Sequence, residues 1–570
     1  MYNHFLDINT ADKPRPQGRP TKTFFYLLVF ILPFLLLHCA QPISPTGGKK
    51  DTTPPKLIKS TPTHKQTNFQ GKTVELEFDE YIVLDNLQQK LLITPDAGEY
   101  DFKARPTSLR IIFKKQLDSA KTYSLSFGDA VKDFAEKNPA QNLRLVFSTG
   151  PGIDSASVGG TISDLLTDQM LFDVVVGLYP PSDTLNIEKI KPSYFTRSDS
   201  SGRFSIENVQ PNRYRLIAFD DRNRSLTYNL KAERIAYFGE YIVLNDSTKI
   251  SDVSLKLFLA NNTPPKVRNT QPGAFFYSVF YDKGITDYKV KFATPEDSLP
   301  YFRAGVSELK FFNPKNRKDT IVASIMVQDS MGVSFEHTQK IKFREPRPNA
   351  KGPDSQREAF QMTPNFSDGS EVEPRLFDFL LTFNKPVAEA RLSQIQIFSD
   401  SLLTEKIAPD EFVWENNRSI LKLTKPIRAK TELKVVLPKD TFFSIENDTI
   451  PAKTFKMPIM DEEDYGSLEG EIRGLKADEK YIIELLNEKY EVIKSIKNQS
   501  KFQFTFLKPM TYYVRLILDK NANGRWDTGN FKANKPAEPV IFYKEAVKIK
   551  KNFVISGIDF DLSTQSTPKE

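Results

Sequence analysis

The chain is written from two kinds of module, each present twice and in the same order. Residues 74–83 (VELEFDEYIV), 91–95 (LLITP), 108–127 (SLRIIFKKQLDSAKTYSLSF) and 143–150 (LRLVFSTG) form the first set. They are matched by 379–387 (FLLTFNKPV), 395–399 (IQIFS), 419–438 (SILKLTKPIRAKTELKVVLP) and 452–458 (AKTFKMP). Each set runs through a strand ending in Phe, a polar turn, a short strand, a hairpin pair and a last strand carrying Phe. A second kind of unit follows each copy. It comprises 158–165 (VGGTISDL), 173–180 (DVVVGLYP), 202–223 (GRFSIENVQPNRYRLIAFDDRN) and 241–244 (YIVL). Its counterpart comprises 468–475 (LEGEIRGL), 480–487 (KYIIELLN), 501–524 (KFQFTFLKPMTYYVRLILDKNANG) and 539–543 (PVIFY). Repetition at this spacing makes the protein a string of domain-sized units, each with its own core.

Within the units, apolar and polar residues alternate over short runs such as TVELEF at 73–78, and turn residues separate the runs. Period two is the signature of half-buried strands, and short strands at this spacing predict antiparallel sandwiches. Long helical periods are scarce. At 570 residues the chain is too long for one core. The expected division is a leader at 1–38, a tether at 39–53, and sandwiches at 54–150, 156–258 and 259–345. A Pro-rich polar linker at 346–373 follows, then sandwiches at 374–460 and 465–564. Thr263-Pro264-Pro265-Lys266 repeats Thr53-Pro54-Pro55-Lys56, each at a domain entry.

Residues 24–37 (FFYLLVFILPFLLL) are apolar and too short for an ordinary span of about 20 residues. Lys13, Arg15, Arg19 and Lys22 precede them. This pattern predicts a signal segment. Only His38 separates it from Cys39, the chain's one cysteine. Leu36-Leu37-His38-Cys39 resembles a lipobox, which implies lipidation of Cys39, with palmitate among the acyl groups, and cleavage before it. His38 departs from the small residue usual at that position. With Cys39 acylated, no thiol remains to mispair in an oxidising compartment and no disulfide framework is available.

The sharpest local motif is residues 519–527 (DKNANGRWD). Asp519, Asn521, Asn523 and Asp527 occupy positions 1, 3, 5 and 9 of a calcium-type loop, with Gly524 at the turn. A hard cation needs six to eight convergent oxygens, which this spacing supplies. The same residues also suit an Asx-turn loop that satisfies its own backbone. Catalytic signals are thin. The mature region holds two distant histidines, His64 and His337, and no metalloprotease, nucleophile-elbow or phosphate-loop motif. The acidic pairs Asp79/Glu80 and 461–464 read as solvated or structural. Of the aromatics that could stack on glycans, Trp414 and Trp526 are the only tryptophans, and 275–281 (FFYSVFY) reads as a strand. A net charge of +7 spread over this length, without a basic aromatic block, gives no nucleic-acid surface.

With PTGGKKDTTPPKL at 45–57, Phe78-Asp79-Glu80 and Phe383-Asn384-Lys385, the chain resembles the SbsA-type bacterial Ig-like domain lipoproteins of Bacteroidetes. The other unit, from Gly202 to Leu216, is similar to transthyretin-like, carboxypeptidase-regulatory and CNA-B-type sandwiches. The resemblance implies an all-β chain of tandem β-sandwiches in which Ig-like modules alternate with transthyretin-like ones, and no reaction. It implies an outer-membrane lipoprotein; the lack of acids just after Cys39 favours the periplasmic face over the cell surface. The expected role is a non-catalytic scaffold of the envelope that binds protein or polysaccharide. The alternative is a glycan-binding or adhesin lipoprotein. Calcium is the one cofactor the sequence suggests.

Overall fold

The computed structural model describes residues 50–182, 185–229, 233–260, 263–345, 357–400, 403–476 and 478–563. The leader, and Cys39 with it, lie outside these. The regular structure of the described residues is nearly all strand, with four short helical turns and a single four-residue α-helix at Leu87–Lys90. It is folded as tandem β-sandwiches, as the alternation predicts.

In the first module, strands Leu57–Thr61, Thr73–Phe78, Ser108–Phe113 and Tyr100–Arg105 pair in that order. Facing them are Leu92–Thr94, Thr122–Ser126 and Arg144–Ser148, and a two-stranded ribbon joins Ile82–Leu84 to Val131–Asp133. The alternation is realised directly: Val74, Leu76 and Phe78 point inward with Leu109, Ile111 and Phe113, and Leu125 and Phe147 meet them from the other sheet. The fourth module repeats the plan. Met362–Pro364, Leu376–Phe383, Ile420–Pro426 and Val413–Glu415 form one sheet, and Val387–Ala390 pairs with Phe442–Ser444 as the ribbon. Opposite lie Leu403–Thr404, Gln396–Ser399, Glu432–Leu437 and Lys453–Pro458. The third module is a four-stranded sheet on a three-stranded one around Val279, Leu309, Ile325 and Val327.

The second and fifth modules share another plan. In both, the first strand pairs with a late strand in parallel: Ala156–Asp164 with Lys249–Leu259, and Gly466–Arg473 with Val554–Ile555 and Phe560–Asp561. This differs from the purely antiparallel sandwich expected. No hairpin joins these strands, so short-range alternation carries no signal of their pairing. Gly160 and Gly470 stand at equivalent places in these pairs. A Cβ on Gly160 would lie 1.9 Å from the Val253 carbonyl oxygen, and one on Gly470 would lie 2.0 Å from that of Ile558. Glycine is required there for close approach of backbones.

The structure also differs at the expected linker. Met362–Pro364 pairs with Leu376–Phe383, and Phe360, Met362, Phe366 and Val372 are buried in the fourth core. The sandwich therefore begins before Pro374. The segment contributes single large side chains and one three-residue strand, so it has no period to read.

The modules close on one another. A cluster that includes Tyr179, Ile217, Phe219 and Phe258 of the second module also includes Ile482, Ile517 and Val540 of the fifth. Tyr237 Oη donates to the Lys535 carbonyl (2.6 Å), Thr528 Oγ1 to that of Leu259 (2.7 Å), and Arg215 Nη2 to Asn534 Oδ1 (2.6 Å). Phe531 stands edge-on to Tyr237 and under Arg215. The third and fourth modules join through Asn416, whose amide accepts from Tyr288 Oη and Arg303 N and donates to the Arg303 carbonyl. Asn416, Asn417 and Arg418 all have positive φ, a conformation asparagine adopts more readily than most residues. The fourth and fifth join through Tyr465 Oη on Glu371 (2.7 Å) and the Lys494–Glu373 pair. The first module packs on the second through Arg144, which reaches Asn208 and Glu207, through Lys121 on Gln210, and through Leu92 against the cluster shared by the second and fifth.

Candidate functional site

The Asp519 loop leaves the long strand Thr511–Asp519 and ends near Glu538, at the junction of the fifth module with the second. Asp519 is buried, and its two carboxylate oxygens accept the Asn523 (3.1 Å) and Gly524 (2.7 Å) backbone amides. Gly524, at φ +77°, makes the turn that aims those amides back. The side-chain amides of Asn521 and Asn523 both donate to Asp527 Oδ2. The structure thus brings the four sequence-predicted residues together.

Glu538 completes the loop and was not legible from motif spacing. It is buried, and accepts Lys520 N (2.8 Å) and Asp527 N (2.9 Å). Burial pushes its carboxyl above the usual range, and the Asp527 and Asp519 charges add to this. Trp526 donates its indole N–H to the Glu538 carbonyl and packs in the cluster shared by the two modules. The second module carries the sister loop. Asp221 accepts Ser225 N and Leu226 N, as Asp519 accepts the amides four and five residues on. Buried Glu233 accepts Asn229 N, and its carboxyl is likewise raised by burial. Copy-to-copy alignment holds the signal for both glutamates, which stand just before Ile235 and Val540 strands.

The two loops differ in charge. Arg197 Nη2 meets the fully buried Asp221 carboxylate at 2.7 Å, and Arg234 bridges Asp220 and Asp164. Among the described residues Asp519 has no such basic partner. Asp527 Oδ1 is buried without a hydrogen-bond partner, with Arg525 Nε 3.6 Å away. The carboxylates are dispersed enough that no group of three or more His, Cys, Asp or Glu among the described residues forms a metal cluster.

Other sequence candidates are used structurally. Trp414 is half-buried against Phe383, with Arg418 over its ring at 4.7 Å. In 275–281, Phe276, Tyr277, Val279 and Tyr281 are buried in the third module. His337 lies on the strand Ser334–Ile341 and shares a hydrogen bond with Tyr281 Oη. Burial holds its pKa low. Asp79 accepts Lys56 N, and Asp461 caps the turn Glu462–Asp464. A cleft of about 800 Å³ between the third and fourth modules is lined by Phe302, Arg303, Lys310, Glu358 and Asn416, several of which hold those modules together.

Residues 51–149 match the bacterial Ig-like domain family, so the first module is an Ig-like domain. Among curated proteins, none matches the chain. Among solved structures, the chain is similar to the dimeric latent PorU of Porphyromonas gingivalis, with 11% identity over 54% of this chain and 36% of that one, at a TM-score of 0.22. It is also similar to the major pilin subunit BcpA of Bacillus cereus (9%, 71% and 99%, 0.14) and to the S-layer protein SbsC (10%, 88% and 67%, 0.13).

Proposed function

We propose that the chain is a lipid-anchored, non-catalytic scaffold of a bacterial envelope, held by acylated Cys39 at the periplasmic face of the outer membrane. One observation carries this reading. The Asp519 loop and both tryptophans, the side chains best suited to hold a metal or stack on a sugar, are spent on packing within and between β-sandwiches. Trp526 and the Asp519 loop lock the fifth module to the second, and Trp414 lies under Arg418. A glycan-binding platform needs free aromatic faces, which neither tryptophan offers. Metabolic labelling with a palmitate analogue tests the anchor, comparing wild type with Cys39→Ala. The expected result is label and membrane retention in the wild type and neither in the variant. Protease shaving of intact cells reads the face, and protection is expected. An unlabelled wild type overturns the anchor.

The Asp519 loop supports a second, compatible assignment, a calcium ion that tightens the clasp. It rests on Asp527 Oδ1, buried without a hydrogen-bond partner and with Arg525 Nε, 3.6 Å away, as its countercharge, and on the absence among the described residues of a basic partner at Asp519 like the one Arg197 supplies to Asp221. Turning the Asn521 and Asn523 amides over would present their oxygens to the same centre. Calcium in excess over EDTA is expected to raise the melting temperature of the wild type but not of Asp527→Asn. Equal melting of the wild type in both buffers overturns the assignment.

A further inference from the structure

The end of the first module at which the chain enters is marked by three contacts. Lys50 pairs with Glu136 (3.8 Å), Asn138 Nδ2 donates to the Asp51 carbonyl, and Lys56 N donates to Asp79. Two aromatics project from adjoining turns at this end. Tyr81 and Phe134 are each 64% exposed, and Phe134 N donates to the Tyr81 carbonyl at 2.9 Å. Lys137 Nζ sits 4.9 Å over the Phe134 ring. The second module meets the first on the sheet containing Thr122–Ser126 and Arg144–Ser148, so its contacts leave this end free.

Sequence distance sets what this end can reach. Cys39 precedes Lys50 by eleven residues, a span of at most about 40 Å and about 18 Å as a flexible coil. A membrane holding Cys39 is therefore within one module's width of Tyr81 and Phe134. Aromatic rings flanked by lysine stems are the side chains that settle at a bilayer interface, ring toward the acyl boundary and ammonium toward the headgroups. The charges around them largely cancel. Lys50, Lys56 and Lys137 stand among Asp51, Asp79, Glu80 and Glu136, while Asp133 is buried and accepts three backbone amides and the Asn138 side chain. Burial, then the charges of Asp133, Asp79 and Asp51, raise the Glu80 carboxyl, which favours its neutral form beside an apolar layer.

We propose that the entry end of the first module, led by Tyr81 and Phe134, rests on the interface of the bilayer that holds Cys39. This rests on the lipid-anchor reading. Because the local charge is nearly balanced, the contact is driven by the rings and does not require anionic lipid.

The test uses the full lipidated protein purified from cells and reconstituted in phosphatidylcholine vesicles containing spin-labelled lipid. Acylated Cys39 is blocked, so Tyr81→Cys, Phe134→Cys and, as a control on the second module, Phe172→Cys (70% exposed) each accept one polarity-sensitive fluorophore. Quenching by lipid at 81 and 134 is expected to exceed that at 172 at least about twofold, and to be unchanged by anionic lipid or salt. Equal quenching at all three sites, in protein that is acylated and floats with the vesicles, overturns the proposal and leaves the anchor standing. So does a dye at 81 or 134 that reports an apolar setting without lipid quenching, which would mean another protein surface covers it. Protein whose intact mass lacks acyl chains overturns the anchor and the proposal together.

Discussion

Lys385 shows how much one residue carries here. It lies in the turn after the strand Leu376–Phe383, is 1% exposed, and places Nζ 2.5 Å from Glu446 and 2.7 Å from Asp448. Glu446 Oε1 is buried without a hydrogen-bond partner, with Arg357 Nε 3.9 Å away, so removing the lysine leaves a buried carboxylate with only that longer ion pair. Lys385→Met is expected to destabilise the fourth module by about 3–5 kcal/mol, read from Trp414 fluorescence in urea in a Trp526→Phe background. Adding Glu446→Leu should recover much of the loss. The pair also fixes an acid dependence. Burial alone would raise the Asp448 carboxyl, but hydrogen bonds from Lys385 and Ser444 outweigh it and hold it below 3.8, its ordinary value. A carboxylate with a lowered folded pKa contributes stability that is full above its unfolded pKa and lost as pH falls through the folded one. The fourth module should therefore lose urea resistance below about pH 4, and lose less of it in Lys385→Met. The sequence marked Phe383-Asn384-Lys385 as a module signature, but not that Lys385 is buried. Its partners lie sixty residues on, in a loop without a pattern.

At the scale of the element, alternation did most of the work. Strands such as Thr73–Phe78 and Glu432–Leu437 stand where period two places them, because one face is buried and a slip by one residue would turn every side chain over. Parallel closure of the second and fifth modules was not readable, since its partners are about 90 residues apart. Its trace in the sequence is a glycine in VGGTISDL and its counterpart in LEGEIRGL. Gly160→Ala and Gly470→Ala each force a Cβ into a facing carbonyl, and the cost should be at least about 1–3 kcal/mol. Faster amide exchange along Lys249–Leu259 in the first variant, and along Val554–Ile555 in the second, is the measurement. Unchanged protection would show that the strands separate without loss. The Asp519 loop was legible as four residues that come together, Asn521 and Asn523 by donating their side-chain amides to Asp527, while Glu538 was hidden by its variable distance from the motif. Two glutamates with one role in two copies show that the repeat itself was the better guide.

At the scale of the whole molecule, the repeat predicts a string, and the structure adds the clasp that joins its second and fifth units. Gly529 lies against Phe258 at that clasp, and a Cβ there would stand 2.7 Å from the ring. Gly529→Val is expected to part the two modules and, because the same Cβ meets the Ala537 backbone N at 2.7 Å, to shift the fifth module's own loop at that contact. An increased radius of gyration in small-angle scattering, with unchanged far-ultraviolet dichroism, would report it; an unaltered radius would mean the contact is not what holds the closed form. The clasp also governs how the chain would bear tension. A pull applied between the Cys39 end and a partner gripping the last module passes from the second module directly into the fifth. The third and fourth, joined to each other and to the fifth, form a longer path beside it, which takes the full load only once the clasp yields. A chain held at its two ends would then be short and stiff under small loads and would lengthen, without any module unfolding, once the junction at Phe531 and Tyr237 gives way.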